Sequence, residues 1–295
     1  LIVLAARPSV GKTAFALNLA RSAALHPTKP TAVGFFSLEM SSSQLVQRIL
    51  SAESEIWLEK IARGKLEEHE MKQLYKNGIE RLSKAPIFID DTAALNIFVL
   101  CAKCRRLKNK HNVGLIIIDY LQLMSGAGEN RNGNREQEIS RISRDLKGLA
   151  KELQVPIIAL SQLSLEVEKR KEGAKIPQLS DLRESGAIEQ DADMVMFLYR
   201  PEYYDITSNE MGESNKGETY VKIAKHRNGS LDTVKLKALL HIQKFVEEEG
   251  GSDFASGLPG GSWKPVKSDD GDGAKLYIQK GSKMNDGEFD EDAPF

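Results

Sequence analysis

Leu1-Ile-Val-Leu-Ala-Ala6, running straight into Arg7-Pro-Ser-Val-Gly-Lys-Thr13, is the stretch on which the fold turns. Its first half is a continuous apolar run of the kind that forms a buried strand. Its second half matches the phosphate-binding loop pattern, with Ala6 where the first glycine usually stands. The residues that follow, Thr13–Leu25, have helical spacing. A strand that enters a Gly-Lys-Thr turn and opens a helix gathers backbone N–H groups and the positive helix end at one point, which suits phosphate. Lys12 is then set to reach the β- and γ-phosphates and the Thr13 hydroxyl to ligate Mg2+. Arg7, Pro8, Ser9, Val10, Gly11 and Ala14 complete the candidate nucleotide-binding loop. A turn that merely caps a helix would not need the strand before it. Because such a domain would open in mid-strand, further sequence upstream is expected.

Outward from this loop, short apolar runs alternate with helical patterns. Strands are expected at 1–5, 32–38, 86–90, 115–119, 156–160 and 194–199, and helices at 13–25, 44–53, 67–83, 95–110 and 134–153. Continuous Val/Ile/Leu runs separated by helices predict an α/β fold with a mainly parallel sheet covered on both faces. Two further runs, Thr219–Lys225 and Thr233–Leu239, flank Arg227-Asn-Gly-Ser230 and predict a β-hairpin near the end of the domain. Beyond about Glu249 the chain is dominated by Gly, Ser and Asp. One domain over 1–249 and a flexible acidic tail over 250–295 are expected.

Three polar residues stand at the ends of expected strands. Leu115-Ile-Ile-Ile-Asp119 ends in a carboxylate that would face the ligand crevice of a parallel sheet and hold Mg2+. Phe36-Ser-Leu-Glu-Met40 offers Glu39 as the base that orients an attacking water. On spacing alone Glu39 reads equally as an acidic residue ahead of a helix capped by Ser41-Ser-Ser43. Ala159-Leu-Ser-Gln162 ends in an amide, and pattern alone makes Gln162 a polar strand terminus.

Composition narrows the class. With 41% apolar and 28% charged residues among 295, the chain can bury a sizeable core. Its 41 basic and 42 acidic residues leave a net charge of -1, so any nucleic-acid surface must be local. No apolar run approaches a membrane span. Cys101 and Cys104 form one CxxC inside a helical pattern, without a second pair or a histidine cluster. Helix packing in a reducing cytoplasm is expected of them rather than zinc binding or a disulfide.

Six ordered blocks carry a resemblance: Ala5–Ala14, Phe36–Ser41, Ile118–Met124, Leu160–Leu163, Ser180–Asp193 and Ala224–Gly229. Together they resemble the bacterial replicative ring helicases of the DnaB family, across residues 1 to about 246. The alanine in place of the first loop glycine is typical of that family. The resemblance implies a RecA-like core in a homo-hexameric ring around single-stranded DNA, with ATP between subunits and 5′-to-3′ polarity. It implies that Lys12 and Thr13 bind phosphate and Mg2+, that Asp119 is the Walker B acid and that Glu39 is the catalytic carboxylate. Gln162 would couple the γ-phosphate to the DNA loops, and Lys225 and Arg227 would reach a neighbour's ATP in trans. Without the family these two read as solvated hairpin charges. Arg183, Glu184 and Gly186 match the family's DNA-contacting loop, with Lys169-Arg-Lys171 nearby; alone they read as a charged helix start and a solvated loop. A primase and a helicase loader are implied as partners.

The chain departs from the family after Asn228-Gly229, where Ser230-Leu-Asp-Thr233 replaces the usual Pro or Ala and second Gly. The family's amino-terminal helical domain and linker helix have no counterpart in it. The ending Gly287-Glu-Phe-Asp-Glu-Asp-Ala-Pro-Phe295 reads as a solubilising acidic tail. It is also similar to the acidic tips of single-stranded-DNA-binding proteins, which would make it a docking peptide. Other readings are a recombinase, a phage or organellar ring-helicase relative, and a nucleotide-gated scaffold. The Asp181–Gly186 block disfavours the recombinase and the carboxylates Glu39 and Asp119 the scaffold.

Overall fold

The structure, a computed structural model, describes residues 1–247 except 94, 122–123, 125–134, 169, 171–174, 183–185, 209–211 and 213. The acidic tail and the side chains of Arg183 and Glu184 lie outside the described residues, as do Lys169 and Lys171.

Among the described residues, nine strands form one sheet in the order β3-β2-β4-β5-β1-β6-β7-β8-β9. They are β1 (Ile2–Ala6), β2 (Val33–Ser37), β3 (Ile87–Asp90), β4 (Leu115–Asp119), β5 (Ile157–Gln162), β6 (Met194–Tyr199), β7 (Glu218–His226), β8 (Asp232–Leu239) and β9 (Lys244–Glu247). The six from β3 to β6 are parallel and the last three are added antiparallel. The helices are α1 (Lys12–Ala24), α2 (Ser42–Ser54), α3 (Leu58–Arg63), α4 (Glu68–Gln73), α5 (Glu80–Leu82), α6 (Ile97–His111), α7 (Arg135–Leu153) and α8 (Gly186–Asp191). No described helix is long and apolar enough to cross a membrane.

The pleat decides which residue joins which core. In β1, Val3 and Ala5 enter the cluster under α6 and α7, while Leu4 and Ala6 enter the cluster under α1 and α2. In β4, Ile116 and Ile118 likewise take one face and Ile117 the other. A strand buried on both faces must be apolar at every position, which is why these runs do not alternate. α7 supplies Ile139, Ile142, Leu146 and Leu149, all buried at helical spacing. Each such side chain contributes about 1.5–3 kcal/mol by burial, so this stripe seats the helix. Cys104 is buried in the same core and Cys101 packs against it. Burial pushes the Cys104 thiol up to about 12, which keeps it protonated.

One expectation needs correction and another is met with a wider loop. The single helix expected over 67–83 is interrupted by a π-helical turn, Leu74–Ile79, and is preceded by the unforeseen α3. Gly78 in that turn lies against α2, where a Cβ would come within 3.1 Å of Leu50. The β7–β8 hairpin forms, yet its last ladder pair is Ile223 with Asp232. Lys225 and His226 pair onward with β6 instead, so the Asn228-Gly229 turn closes a wide loop.

Candidate functional site

All six parallel strands point their carboxyl ends the same way, and those of β1, β2, β4 and β5 converge on one edge. That edge is where open α/β sheets bind ligands. The loop after β1 turns through two left-handed residues, Ser9 (φ 63°) and Gly11 (φ 112°). This alternation turns successive N–H groups toward one side, a concavity suited to an anion. No side chain caps the N-terminus of α1 at Gly11, so its first N–H groups remain available. A Cβ on Gly11 would lie 3.4 Å from the Phe245 ring and 3.6 Å from Leu240. Gly11→Ala should therefore cost about 1–2 kcal/mol of backbone strain and weaken nucleotide binding, read as a lowered Tm and a raised Kd. An unchanged Tm would show that the left-handed turn is not required.

Beneath the loop, Thr13 Oγ1 donates to Asp119 Oδ2 over 2.6 Å. Asp119 is fully buried, and its Oδ1 has no hydrogen-bond partner among the described residues. Burial raises the Asp119 carboxyl's pKa, opposed by the Thr13 hydroxyl and the nearby Lys12 ammonium. Lys12 Nζ is 3.4 Å from the Ser161 carbonyl and 4.7 Å from the Tyr120 ring centroid. Its pKa is lowered by burial, against the pull of Asp119 and Glu39. An oxygen-rich pair with an unpartnered buried carboxylate atom fits a hard divalent cation such as Mg2+, and a largely desolvated lysine fits phosphate.

The turn carrying Glu39 is anchored to the same strand end. Ser37 stands opposite Asp119 in register, and Leu38 N donates to Asp119 O at 2.7 Å. The Ser37 hydroxyl donates to Met40 O at 2.8 Å and accepts from Met40 N. Glu39 itself is exposed. Ser41, not Glu39, caps α2, through a capping box with Gln44. Gln162 ends β5 opposite Ala6, beside the loop.

Arg7, Val10, Lys225 and Arg227 take partners within the chain. The Arg7 guanidinium does not turn toward the loop's cradle; it donates to Leu163 O at 2.8 Å and to Glu168 Oε1 at 2.7 Å. Pro8 and Ser9 are exposed, whereas Val10 is buried and accepts from Arg200 at 3.3 Å through its carbonyl. Lys225 and Arg227 bond the carbonyls of Glu189 and Gln190 at the end of α8. Gly186 begins α8, shortly after Arg183 and Glu184, which lie outside the described residues.

The structure also brings in residues that no motif marks. Arg48 of α2 feels Asp119 and Glu39, but burial is the larger influence and lowers its pKa. It donates to Gln243 Oε1 at 2.9 Å. Asn18 of α1 donates to Gln243 O at 2.6 Å and accepts from Phe245 N at 3.3 Å, and the Phe15 and Phe245 rings meet edge-on at 5.3 Å. The 240–245 turn therefore packs against the phosphate loop and its helix. A buried polar residue in an apolar helix, Asn18, was the one available signal.

Known proteins share this arrangement. The family model described as DnaB-like helicase C terminal domain matches residues 1–247. The replicative DNA helicase DnaB of Geobacillus stearothermophilus is 50% identical over 260 residues, covering 88% of this chain and 55% of that protein. That of Rickettsia typhi is 47% identical, covering 83% of this chain and 52% of the relative. The chain thus spans about half the length of the curated relatives it matches. Among solved structures, a DnaB-like replicative helicase described with its interactions with primase is 41% identical with a TM-score of 0.76, covering 84% of this chain and 57% of that one. A KaiC-like protein from Pyrococcus horikoshii, at 17% identity and TM-score 0.52, shares the fold over 83% of this chain and 87% of its own. The sheet order, the loop geometry and the match over residues 1–247 together show that the chain belongs to the DnaB-like helicase C-terminal domain family.

Proposed function

We propose that residues 1 to about 249 are the ATP-hydrolysing motor of a replicative DNA helicase, working as a homo-hexameric ring on single-stranded DNA. The observation that carries the ATPase reading is the Thr13–Asp119 hydrogen bond beneath an uncapped phosphate loop, with no partner for Asp119 Oδ1 among the described residues. In this reading Thr13 and Asp119 hold Mg2+, and Lys12 with the N–H groups of 9–14 holds the phosphates of ATP. Bound there, Mg2+ would supply Lewis-acid charge stabilisation to the transferring phosphoryl group. Glu39 orients the attacking water, and Gln162, beside the loop at the end of β5, relays the γ-phosphate's presence. Arg183, Glu184 and Gly186 contact the DNA backbone, and Lys225 with Arg227 serves a neighbouring subunit's ATP.

A primase and a loader are proposed as partners, the primase supported by the relative described with its interactions with primase. The test is steady-state ATP turnover on this chain with and without single-stranded DNA. Turnover that rises with DNA and vanishes in Lys12→Ala is expected. Nucleotide binding without turnover in either condition would replace the motor by a nucleotide-gated scaffold.

A further inference from the structure

A cation in a phosphate loop is ordinarily read as a phosphate ligand, yet the Arg7 side chain is spent elsewhere. It is almost completely buried, with 8% exposed, and it bonds the segment that leaves β5. Leu163 is gripped from both sides by the loop: its N–H donates to Ala6 O at 3.1 Å and its carbonyl accepts from Arg7 Nη1 at 2.8 Å. Glu168 Oε1 accepts from Arg7 Nε at 2.7 Å and also from the Tyr203 hydroxyl at 3.2 Å. The Arg7 contact is the largest influence holding the Glu168 carboxyl below its ordinary range.

The gripped segment continues to a second one. Leu163 forms an antiparallel bridge with Leu182, and Ser164 N donates to Asp181 O at 2.9 Å. Asp181 is buried and held by Arg170 Nη1 at 3.0 Å and by Gln178 N at 2.7 Å. A continuous set of bonds therefore runs from the phosphate loop through 163–164 to 181–182. At its loop end stands Arg7, whose fork serves a carbonyl and a carboxylate at once; a lysine could not do so in the same geometry.

We infer that Arg7 is a positioning residue, latched by Glu168 and Tyr203, which ties the conformation of the phosphate loop to that of residues 163–164 and 181–182. The latch deepens the proposed nucleotide-driven reading and rests on it. The segment it controls ends immediately before Arg183. When phosphates fill the loop and fix its backbone, the latch stiffens the connection between 163–164 and 181–182. Without the latch, the loop can be filled while that connection stays loose.

The experiment is amide hydrogen exchange on the full chain, with and without a non-hydrolysable ATP analogue and Mg2+, in wild type, Glu168→Gln and Tyr203→Phe. Glu168 is partly exposed and Gln matches its shape, and Tyr203→Phe removes only a hydroxyl, so both variants should fold. The analogue is expected to slow exchange at Leu163 and Ser164 by about fivefold or more in wild type, the scale of an ordinary coupling between sites. In Glu168→Gln that slowing should fall below about twofold, and in Tyr203→Phe it should shrink partly, while the analogue still binds both variants. Equal protection of Leu163 and Ser164 in wild type and Glu168→Gln, with the analogue bound to both, overturns the latch. Failure of the analogue to bind wild type overturns instead the nucleotide reading on which the latch rests. A DNA-independent ATPase that keeps the exchange pattern supports the latch and counts only against the motor.

Discussion

Glu39→Gln is expected to retain ATP binding and to lose turnover by at least ~10²-fold, the scale of a missing base or orienting group in hydrolysis. The side chain is exposed and takes no part in the core, so an amide of the same shape leaves the fold intact. What holds Glu39 near Asp119 is its backbone. Leu38 N is bonded to Asp119 O, and Ser37 closes the turn on Met40, so the carboxylate is delivered from the strand end next to the Thr13–Asp119 pair. Titration with a fluorescent ATP analogue, alongside steady-state phosphate release, separates the two effects. Unchanged turnover with unchanged binding would remove Glu39 from the mechanism and leave it as a residue preceding the Ser41 cap.

The second large effect is expected between subunits of the proposed ring. Arg227→Ala and Lys12→Ala should each be nearly inactive alone, and mixing them should restore ATPase activity. The topology gives the reason. β6 runs parallel to β1 with Val195 beside Val3, and Lys225 pairs with Val195, while Arg227 N bonds Asp193 O. These cations sit at the amino end of the parallel strands, whereas the phosphate loop leaves their carboxyl end after Ala6. Roughly 10 Å of strand separates Val3 from Ala6. Both cations are turned onto the end of α8. Neither is placed to serve its own chain's loop. In a ring assembled from equal amounts of the two variants, roughly one interface in four combines an intact Lys12 with a neighbour's intact Arg227. Recovery approaching that fraction is expected, measured as ATP turnover after mixed assembly is verified by native mass spectrometry. No recovery in verified mixed rings would mean that Arg227 does not act across the interface.

Much of this arrangement is local and is therefore readable from the residues in order. A run such as Leu115-Ile-Ile-Ile-Asp119 can bury both faces only inside a covered sheet, and its boundaries agree with β4. The loop sequence dictates its own backbone, because only glycine tolerates the left-handed turn at Gly11 cheaply. Since these strands are parallel, their carboxyl ends lie on one side of the sheet; Thr13 and Asp119 are bonded there, Gln162 ends β5 there, and Glu39 follows the end of β2. The serine cap of α2 and the helix-packing role of Cys104 follow from equally short-range rules.

What tertiary structure alone decided are contacts between segments with no shared periodicity. Arg7 belongs to the loop by sequence, yet its partners Leu163 and Glu168 lie far along the chain, so its direction depends on where β5 ends. Arg48 enters the site's field because α2 packs beside α1, and Lys225 and Arg227 leave it because β7 carries them to the opposite end of β6. β9 carries no strand pattern strong enough to stand alone; it exists because β8 offers an edge and because Asn18 and Phe15 of α1 anchor Gln243 and Phe245. Periodicity and capping act within a few residues and are written in the sequence. The aim of a long polar side chain is set by which buried donors and acceptors the finished packing leaves to be satisfied.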